Sequence, residues 1–352
     1  MKKKVSLQDI ADRLGVSKTL VSLVLNRKGD ESGISPVTQK KVLELARKLN
    51  YYPNQMARGL RLGSSHTIGL IVADISNIFF AQIARSIEDE AGKHGYSVMF
   101  MSSEEDAGRE REMIQLLKDR RVDGLILATS LHDREDIRRL MKDDVPLVLV
   151  DRSVPGVKTN SVLVDNYRGA YEATRHLIGL DYKKIALIKI SPSHLEPIRQ
   201  RTRGYKDALR ESGIPVRNKL IREVSFRNVN EEMRDHLQDL ILKHSIQALF
   251  FLNNNLTVAG LEVINKLHLR IPQDIAVVSF DDIDLFRFAY PPVTAIHQPL
   301  DDIGRKAVDL LLKQIRNPRK GKTQITLPVE LIVRRSCGAF LKKPELVHKM
   351  IE

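Results

Sequence analysis

At 352 residues, 42% hydrophobic, 5% aromatic and without Trp, the chain has the length for two or three domains and enough apolar content for packed cores. No run approaches the roughly 18 apolar residues of a membrane span, the basic start MKKKVSLQD lacks the apolar stretch and cleavage site of a signal peptide, and the single cysteine, Cys337, excludes an intramolecular disulfide, which together predict a soluble cytoplasmic protein. Net charge is +13, of which residues 1–61 supply +8 from 13 Lys/Arg against 5 Asp/Glu, so a basic head on a nearly balanced body points to a nucleic-acid-binding module attached to something else.

Ser6 and Asp9 are spaced as a capping box, and Ile10, Ala11 and Leu14 place apolar side chains on one face of a first short helix. Gly15 sits where the chain must turn. Ser17 is a good N-cap for a second helix carrying Leu20, Val21, Val24 and Leu25. Two helices joined by a tight Gly-containing turn form a helix-turn-helix, whose second helix lies in the major groove of DNA. Read alone, the same pattern also describes a helical hairpin that binds nothing; its coincidence with the positive charge favours DNA.

The polar run RKGDESGIS (27–35) predicts a loop. Ser35-Pro36 then starts a third helix over 36–49, with Val42, Leu45, Ala46 and Leu49 packing on the first two. Asn50 and Pro53 stop it, so a DNA-binding domain is expected over 1–50. The segment 51–65 follows. Asn54 can cap a helix of two turns ending near Arg61, but helices shorter than about 12–15 residues are marginal in water and Gly59 weakens this one by about 1 kcal/mol. By composition it reads as a linker.

From Thr67 continuous β-branched runs alternate with helix-period segments: TIGLIVA, YSVMFMSS, VDGLILATS and VPLVLVD, then a second series from NSVLVD through KKIALIKIS, LIREVSF, IQALFFLN and DIAVVSFDD. Buried strands alternating with helices mean parallel sheets covered on both faces. The expected body spans 66–340 as two doubly wound lobes, the first over about 66–163 plus 295–324 and the second over about 164–294 plus 325–340.

Ligands of open α/β sheets bind beyond the carboxyl ends of the strands. Those ends are small and polar here: Asp74, Ser102, Ser103, Thr129, Ser130, Asp151, Ser191, Asn253, Asn254 and Asp281, with Phe79 and Phe80 just after the first. Two such edges facing each other describe a cleft for a small polar molecule; the same residue types also cap the helices that follow. No G-x-S-x-G, Walker loop, G-x-G-x-x-G after a strand or H-E-x-x-H is present, so an enzyme is not expected. Asp281, Asp282 and Asp284 have no second acidic cluster to complete a metal site and read as a strand-end turn. No cofactor is expected.

Taken in order, Leu7-x-Asp9-Ile10-Ala11, Gly15-Val16-Ser17-x-x-x-Val21-Ser22, Tyr52-Pro53-Asn54-x-x-Ala57-Arg58-x-Leu60, Ile68-Gly69, Asn77-x-Phe79-Phe80, Val164-Asp165-Asn166, Arg201-x-x-Gly204-Tyr205, Phe280-Asp281-Asp282 and Pro292-x-Thr294 resemble the LacI/GalR (lactose repressor) family of bacterial transcription regulators over residues 5–337. The resemblance implies an α/β protein: an all-α helix-turn-helix head on a two-lobed periplasmic-binding-protein-like body, acting as a homodimeric repressor on palindromic operator DNA under a small effector. It implies that Lys18, Thr19 and Leu23 face base edges and that Ser6, Ser17, Ser22 and Asn26 contact phosphates. Residues 54–61 become a hinge helix, with Tyr52, Asn54, Ala57 and Arg58 at the DNA and Leu60 wedged into the minor groove. The effector residues by family position are Phe79, Asp151, Arg201, Phe226, Asn254 and Asp281. Leu23 stands where a hydrogen-bonding residue is common, Asn255 replaces an Asp, Ser279 replaces a Gly, and no leucine heptad for a tetramer follows Arg335.

Arg201 donates and Asp281 accepts, which suits a sugar or sugar derivative. The same pair would also hold a purine between Phe79 and Phe226, and a protein corepressor on the body is a further alternative. A sugar-binding receptor of the transport type shares the body but not the basic head.

Overall fold

The computed structural model describes residues 5–51, 64–131, 133–318 and 321–342, and the chain divides into two compact units, Met1–Ser65 and His66–Glu352. In the first unit, helix α1 (Leu7–Leu14) starts at Ser6, whose hydroxyl accepts from the Asp9 amide at 3.2 Å while the Asp9 carboxylate accepts from the Ser6 amide at 2.7 Å. It ends at Gly15, where φ is +63°, a left-handed conformation that strains any residue with a Cβ. Ser17 caps α2 (Lys18–Leu25), accepting from the Leu20 amide at 3.1 Å, and Ser35 caps α3 (Pro36–Lys48). Ile10, Ala11, Val21, Val24, Val42 and Ala46 form the buried core, each at a position the helical spacing singled out.

The connection 27–35 is a closed turn anchored on α3. The Gln39 side-chain amide donates to the Asp30 carboxylate and the Ile34 carbonyl, both at 2.8 Å, and lies so close to Gly29 that a Cβ there would stand 2.4 Å away. The hinge segment, with Tyr52, Asn54, Ala57, Arg58 and Leu60, lies outside the described residues.

The second unit opens with β1 (Thr67–Val72), α4 (Ile78–Lys93), β2 (Ser97–Ser102), α5 (Ala107–Asp119), β3 (Gly124–Leu127), α6 (Arg134–Lys142), β4 (Leu147–Val150) and β5 (Asn160–Val164). The chain continues through α7 (Asn166–Gly179), β6 (Ile185–Ile190), α8 (Glu196–Glu211), β7 (Ile221–Val224), α9 (Val229–His244), β8 (Ala248–Phe251), α10 (Asn254–Lys266), β9 (Ala276–Phe280), α11 (Asp284–Phe288) and β10 (Thr294–His297). It ends with α12 (Leu300–Arg316), β11 (Gln324–Leu327), β12 (Glu330–Ile332) and α13 (Ala339–Lys342).

Two six-stranded sheets result, ordered β11-β5-β4-β3-β1-β2 and β12-β10-β9-β8-β6-β7. All described pairings are parallel except β12 against β10. The central strands are buried along their whole length, as the unbroken apolar runs require when helices cover both faces.

The chain crosses between lobes at Asp165, between His297 and Leu300, and between Leu327 and Glu330. The lobe boundary expected near residue 163 agrees with this, whereas the series to which one strand belongs and the placing of the returning segments differ from the sequence reading. The run Asn160–Val164 closes the first sheet beside β4, with Leu149 opposite Ser161, rather than opening the second series. No helix separates β4 from β5, and that missing helix mimics a domain junction. The strand Thr294–His297 belongs to the second lobe and Gln324–Leu327 to the first, because the carboxyl ends of these strands, not their starts, lead into the crossovers.

Candidate functional site

In the head, Ser6, Ser17, Lys18 and Thr19 are exposed, and Ser22, Leu23 and Asn26 are half-buried. The Ser6 hydroxyl donates to Asp9 at 2.7 Å, so its proton is already committed within the cap. Ser17 only accepts in its cap bond and retains a donor. Asn26 donates to the Ser22 carbonyl at 2.7 Å, finishing α2.

In the body, the carboxyl ends of both sheets meet at a cleft lined by Asp74, Asn77, Phe79, Phe80, Glu105 and Asp151–Arg152 from the first lobe. The second lobe contributes Arg201, Phe226, Asn253, Asn255 and Asp281, among others. Five of the six effector positions expected from the sequence, Phe79, Asp151, Arg201, Phe226 and Asp281, line this one cavity. Asn254 lies beside it: its side-chain amide donates across the cleft to Asn77 at 2.9 Å, and its amide N–H to Asp281 at 3.3 Å. The remaining cavity is about 50 Å³, well short of the roughly 300–1,000 Å³ of ligand pockets, so a hexose-sized guest enters only if the lobes part.

Asp151 (φ +62°) and Asp281 (φ +73°) occupy equivalent places, each the first residue beyond a central strand and each left-handed. Arg201, fully buried, donates to Asn166 at 2.7 Å and to the Leu252 carbonyl at 2.6 Å, lies 4.0 Å from Asp281 and stacks 3.7 Å from the Phe280 ring centre. Burial pushes the Asp151 carboxyl up despite Arg152 and Arg201, and the Asp281 carboxyl up despite Arg201. Burial likewise pulls Arg201 down from its ordinary value. Gln298, in the second crossover, donates to Asp281 at 2.5 Å, tying the cleft floor to a segment that joins the lobes. The buried oxygens Asn254 Oδ1 and Gln298 Oε1 have no hydrogen-bond partner among the described residues.

Arg152, Glu105 and Gln298 escaped the sequence reading, and Asn77 entered it only within a family motif, without a role in the cleft. Arg152 adjoins a chosen aspartate at a strand end, the one signal that would have found it. Gln298 sits in the short run 295–299, where periodicity carries no information. Several other strand-end polar residues serve local structure: Ser102 accepts from the Ile75 amide at 3.1 Å, the Thr129 hydroxyl donates to the buried Glu110 at 2.6 Å, and Asn253 caps α10 through the Leu256 amide at 2.8 Å. Asp282 is held by a two-pronged bond to Arg334, 2.8 Å at each oxygen. Ser279 is filled in by the Thr257 hydroxyl at 2.7 Å. Glu90, His94 and Asp309 bring potential ligand atoms within 4.8 Å of one another, but Glu90 already pairs with Lys93 at 2.8 Å. A roomier open groove, about 660 Å³, runs past Gln324, Thr326 and α8. Its arginines Arg199, Arg203 and Arg210 pair with Glu196 and Asp207 on their own helix, at 3.5, 3.4 and 2.9 Å, and it too carries buried oxygens without a hydrogen-bond partner among the described residues, Glu196 Oε2 and Thr202 Oγ1.

A small helix-turn-helix head joined to a two-lobed body with a polar cleft at its strand ends is the make-up of a DNA-binding regulator with a candidate ligand site. Residues 6–54 match the family model described as bacterial regulatory proteins of the lacI family, and residues 65–335 match the one for periplasmic binding proteins and the sugar-binding domain of the LacI family. The chain is 30% identical to the HTH-type transcriptional regulator DegA of Bacillus subtilis over 95% of its own length and 98% of the relative's. It is also 30% identical to the HTH-type transcriptional repressor PurR of Photobacterium profundum over 94% and 98%. The lac repressor dimer bound to operator and the anti-inducer ONPF superposes with a TM-score of 0.81 at 27% identity, covering 95% of this chain and 99% of that one. The chain belongs to the LacI family and is a DNA-binding transcription regulator of the LacI type. Among the described residues no helix is long and apolar enough to cross a membrane.

Proposed function

We propose that the protein is a cytoplasmic homodimeric repressor whose two heads bind a palindromic operator and whose cleft closes on a small, hydroxyl-rich effector of the sugar class. It acts by binding, not catalysis. The observation that supports the effector class is a surplus of acceptors in and beside the cleft. Asp151 and Asp281 line it and keep lone pairs beyond those taken by Arg152, Gln298 and the Asn254 amide. Beside it the buried Asn254 Oδ1 and Gln298 Oε1 have no partner among the described residues, so the hydroxyls of a polyol would supply donors. The position of Phe79 and Phe226 on the same cavity keeps a purine as the second reading. Lys18, Thr19 and Leu23 are the base-reading positions. Ser17, Ser22 and Asn26 are the phosphate contacts we retain, with Ser6 acting through the cap of α1. The hinge positions Tyr52, Asn54, Ala57, Arg58 and Leu60 are carried by family likeness.

Dimerisation is supported by apolar side chains that a monomer would leave in water, Ile75, Ile78 and Phe100 on the first lobe and Leu285, Phe288 and Tyr290 on the second, the last two 83% and 98% exposed. Calorimetric screening of sugars and nucleosides, repeated on Arg201→Ala and Asp281→Ala, tests the cleft. Each change should cost about 2–5 kcal/mol of effector affinity and leave operator binding in effector-free buffer intact. A response at unchanged effector concentration in both variants would move the site elsewhere.

A further inference from the structure

Of the six ionisable side chains lining the cleft, four are carboxylates (Asp74, Glu105, Asp151, Asp281) and two are guanidiniums (Arg152, Arg201). Arg152 and Arg201 are the two guanidiniums that could grip an anionic ligand, and Arg152 is already gripped. Glu105 accepts from Arg152 Nη2 at 2.5 Å and from Nη1 at 2.7 Å, and the Ser130 hydroxyl holds the same carboxylate at 3.1 Å. Arg152 Nε faces Asp151 at 3.3 Å, and its guanidinium lies 5.8 Å from the Phe80 ring centre. Both partners of the Glu105–Arg152 pair are about nine-tenths buried, so solvent does not loosen it. Arg201 has spent two of its donors on Asn166 and Leu252 and stands beside Asp281.

We propose that Glu105 is a specificity-determining residue: by occupying Arg152 it makes the cleft reject phosphorylated and carboxylate-bearing effectors and reserves it for neutral, hydroxyl-rich ones. The inference rests on the cleft being the effector site. An entering anion has two options, both unfavourable. It can displace Glu105 and strand a buried carboxylate, or it can settle among Asp151 and Asp281 with only the remaining donors of Arg201, itself 4.0 Å from Asp281, to meet it. A neutral polyol faces neither cost, since it donates to the aspartates and leaves the Glu105–Arg152 pair untouched. Burial alone would raise the Glu105 carboxyl, but the charge and hydrogen bonds of Arg152 outweigh it and hold the group ionised below its ordinary range, so neutral pH does not release the arginine.

The test is calorimetric titration of the full-length protein with matched pairs: ribose and ribose 5-phosphate, glucose and gluconate, glucose and glucose 6-phosphate, adenosine and AMP. Wild type should bind no anionic member more tightly than its neutral partner. Glu105→Gln, which keeps the shape and removes the charge, and Glu105→Ala, which also opens space, should shift the neutral-to-anion affinity ratio at least tenfold toward the anion for one pair or more. Adding Arg152→Met to Glu105→Gln should cancel that gain. Tighter anion binding by wild type, no shift in either Glu105 variant, or a shift that survives Arg152→Met would each overturn the proposal. Loss of neutral-ligand binding on Arg201→Ala in the same titrations would leave the cleft assignment standing, so the two ideas fail separately.

Discussion

Two glycines show how differently single residues are constrained. Nothing lies within 4 Å of where a Cβ on Gly15 would stand, so its requirement is wholly one of backbone, φ +63°. Gly15→Ala should cost the head about 1–2 kcal/mol, seen as faster hydrogen exchange of α1 and α2 amides in the full-length protein with the body unaffected. Gly204 has the opposite constraint: a Cβ would lie 2.3 Å from the Tyr167 carbonyl oxygen and 2.9 Å from the Tyr171 amide, backbone atoms of α7 that cannot swing aside. Gly204→Ala should force α8 off α7 and destabilise the body by about 1–3 kcal/mol in chemical denaturation, sparing the head. Arg201 stands one turn before Gly204 on α8, so a displaced helix would also shift the guanidinium that the cleft depends on.

Between elements, ion pairs fasten the second sheet's edge. Asp239 on α9 accepts from Lys243 at 2.8 Å and from Arg222 on β7 at 2.5 Å, and these hydrogen bonds hold its carboxyl down at about 2. An aspartate depressed from about 3.9 contributes stability that is complete above that value and disappears as pH falls toward the folded one. Asp239→Asn should therefore flatten the loss of melting temperature between about pH 4 and pH 2. An acid limb identical to wild type would mean that the pair adds nothing to the hold of α9 on β7. At this scale the chain was legible wherever a pattern has a period. The three head helices, with their caps at Ser6, Ser17 and Ser35, and the alternation of buried strands with helices follow from spacing and capping chemistry. The fold of 27–35 onto Gln39 did not, because it depends on one side chain meeting two partners that no periodicity announces.

For the whole molecule, operator and effector should influence each other. If the cleft binds as proposed, coupling of about 1–3 kcal/mol suffices for a switch, and operator must change effector affinity by the same factor that effector changes operator affinity. Calorimetry with and without operator checks this, and equal affinities would remove the linkage. Leu60→Ala should weaken operator binding while leaving effector affinity of the free protein unchanged. Salt should weaken operator binding steeply, because the +8 of residues 1–61 displaces phosphate counterions. The cleft was legible in its outline: the strand-end pattern places Phe79, Asp151 and Asp281, and family position adds Arg201 and Phe226, all of which line the cavity. What stayed hidden is pairing across distance: Glu105 with Arg152, and Gln298 with Asp281, join residues 47 and 17 apart.

The three crossovers also impose an order on synthesis. Each lobe borrows strands from late in the chain, and the first sheet has no β11 until Leu327 is made, whereas the head needs only contacts within residues 5–51. At about 5–20 residues per second, a folded head would precede a complete body by roughly 15–60 s. A ribosome-bound chain stalled near residue 320 should thus show a protease-resistant head and a readily cut body. During that interval the nascent regulator can touch DNA only one half-site at a time, ahead of any effector control.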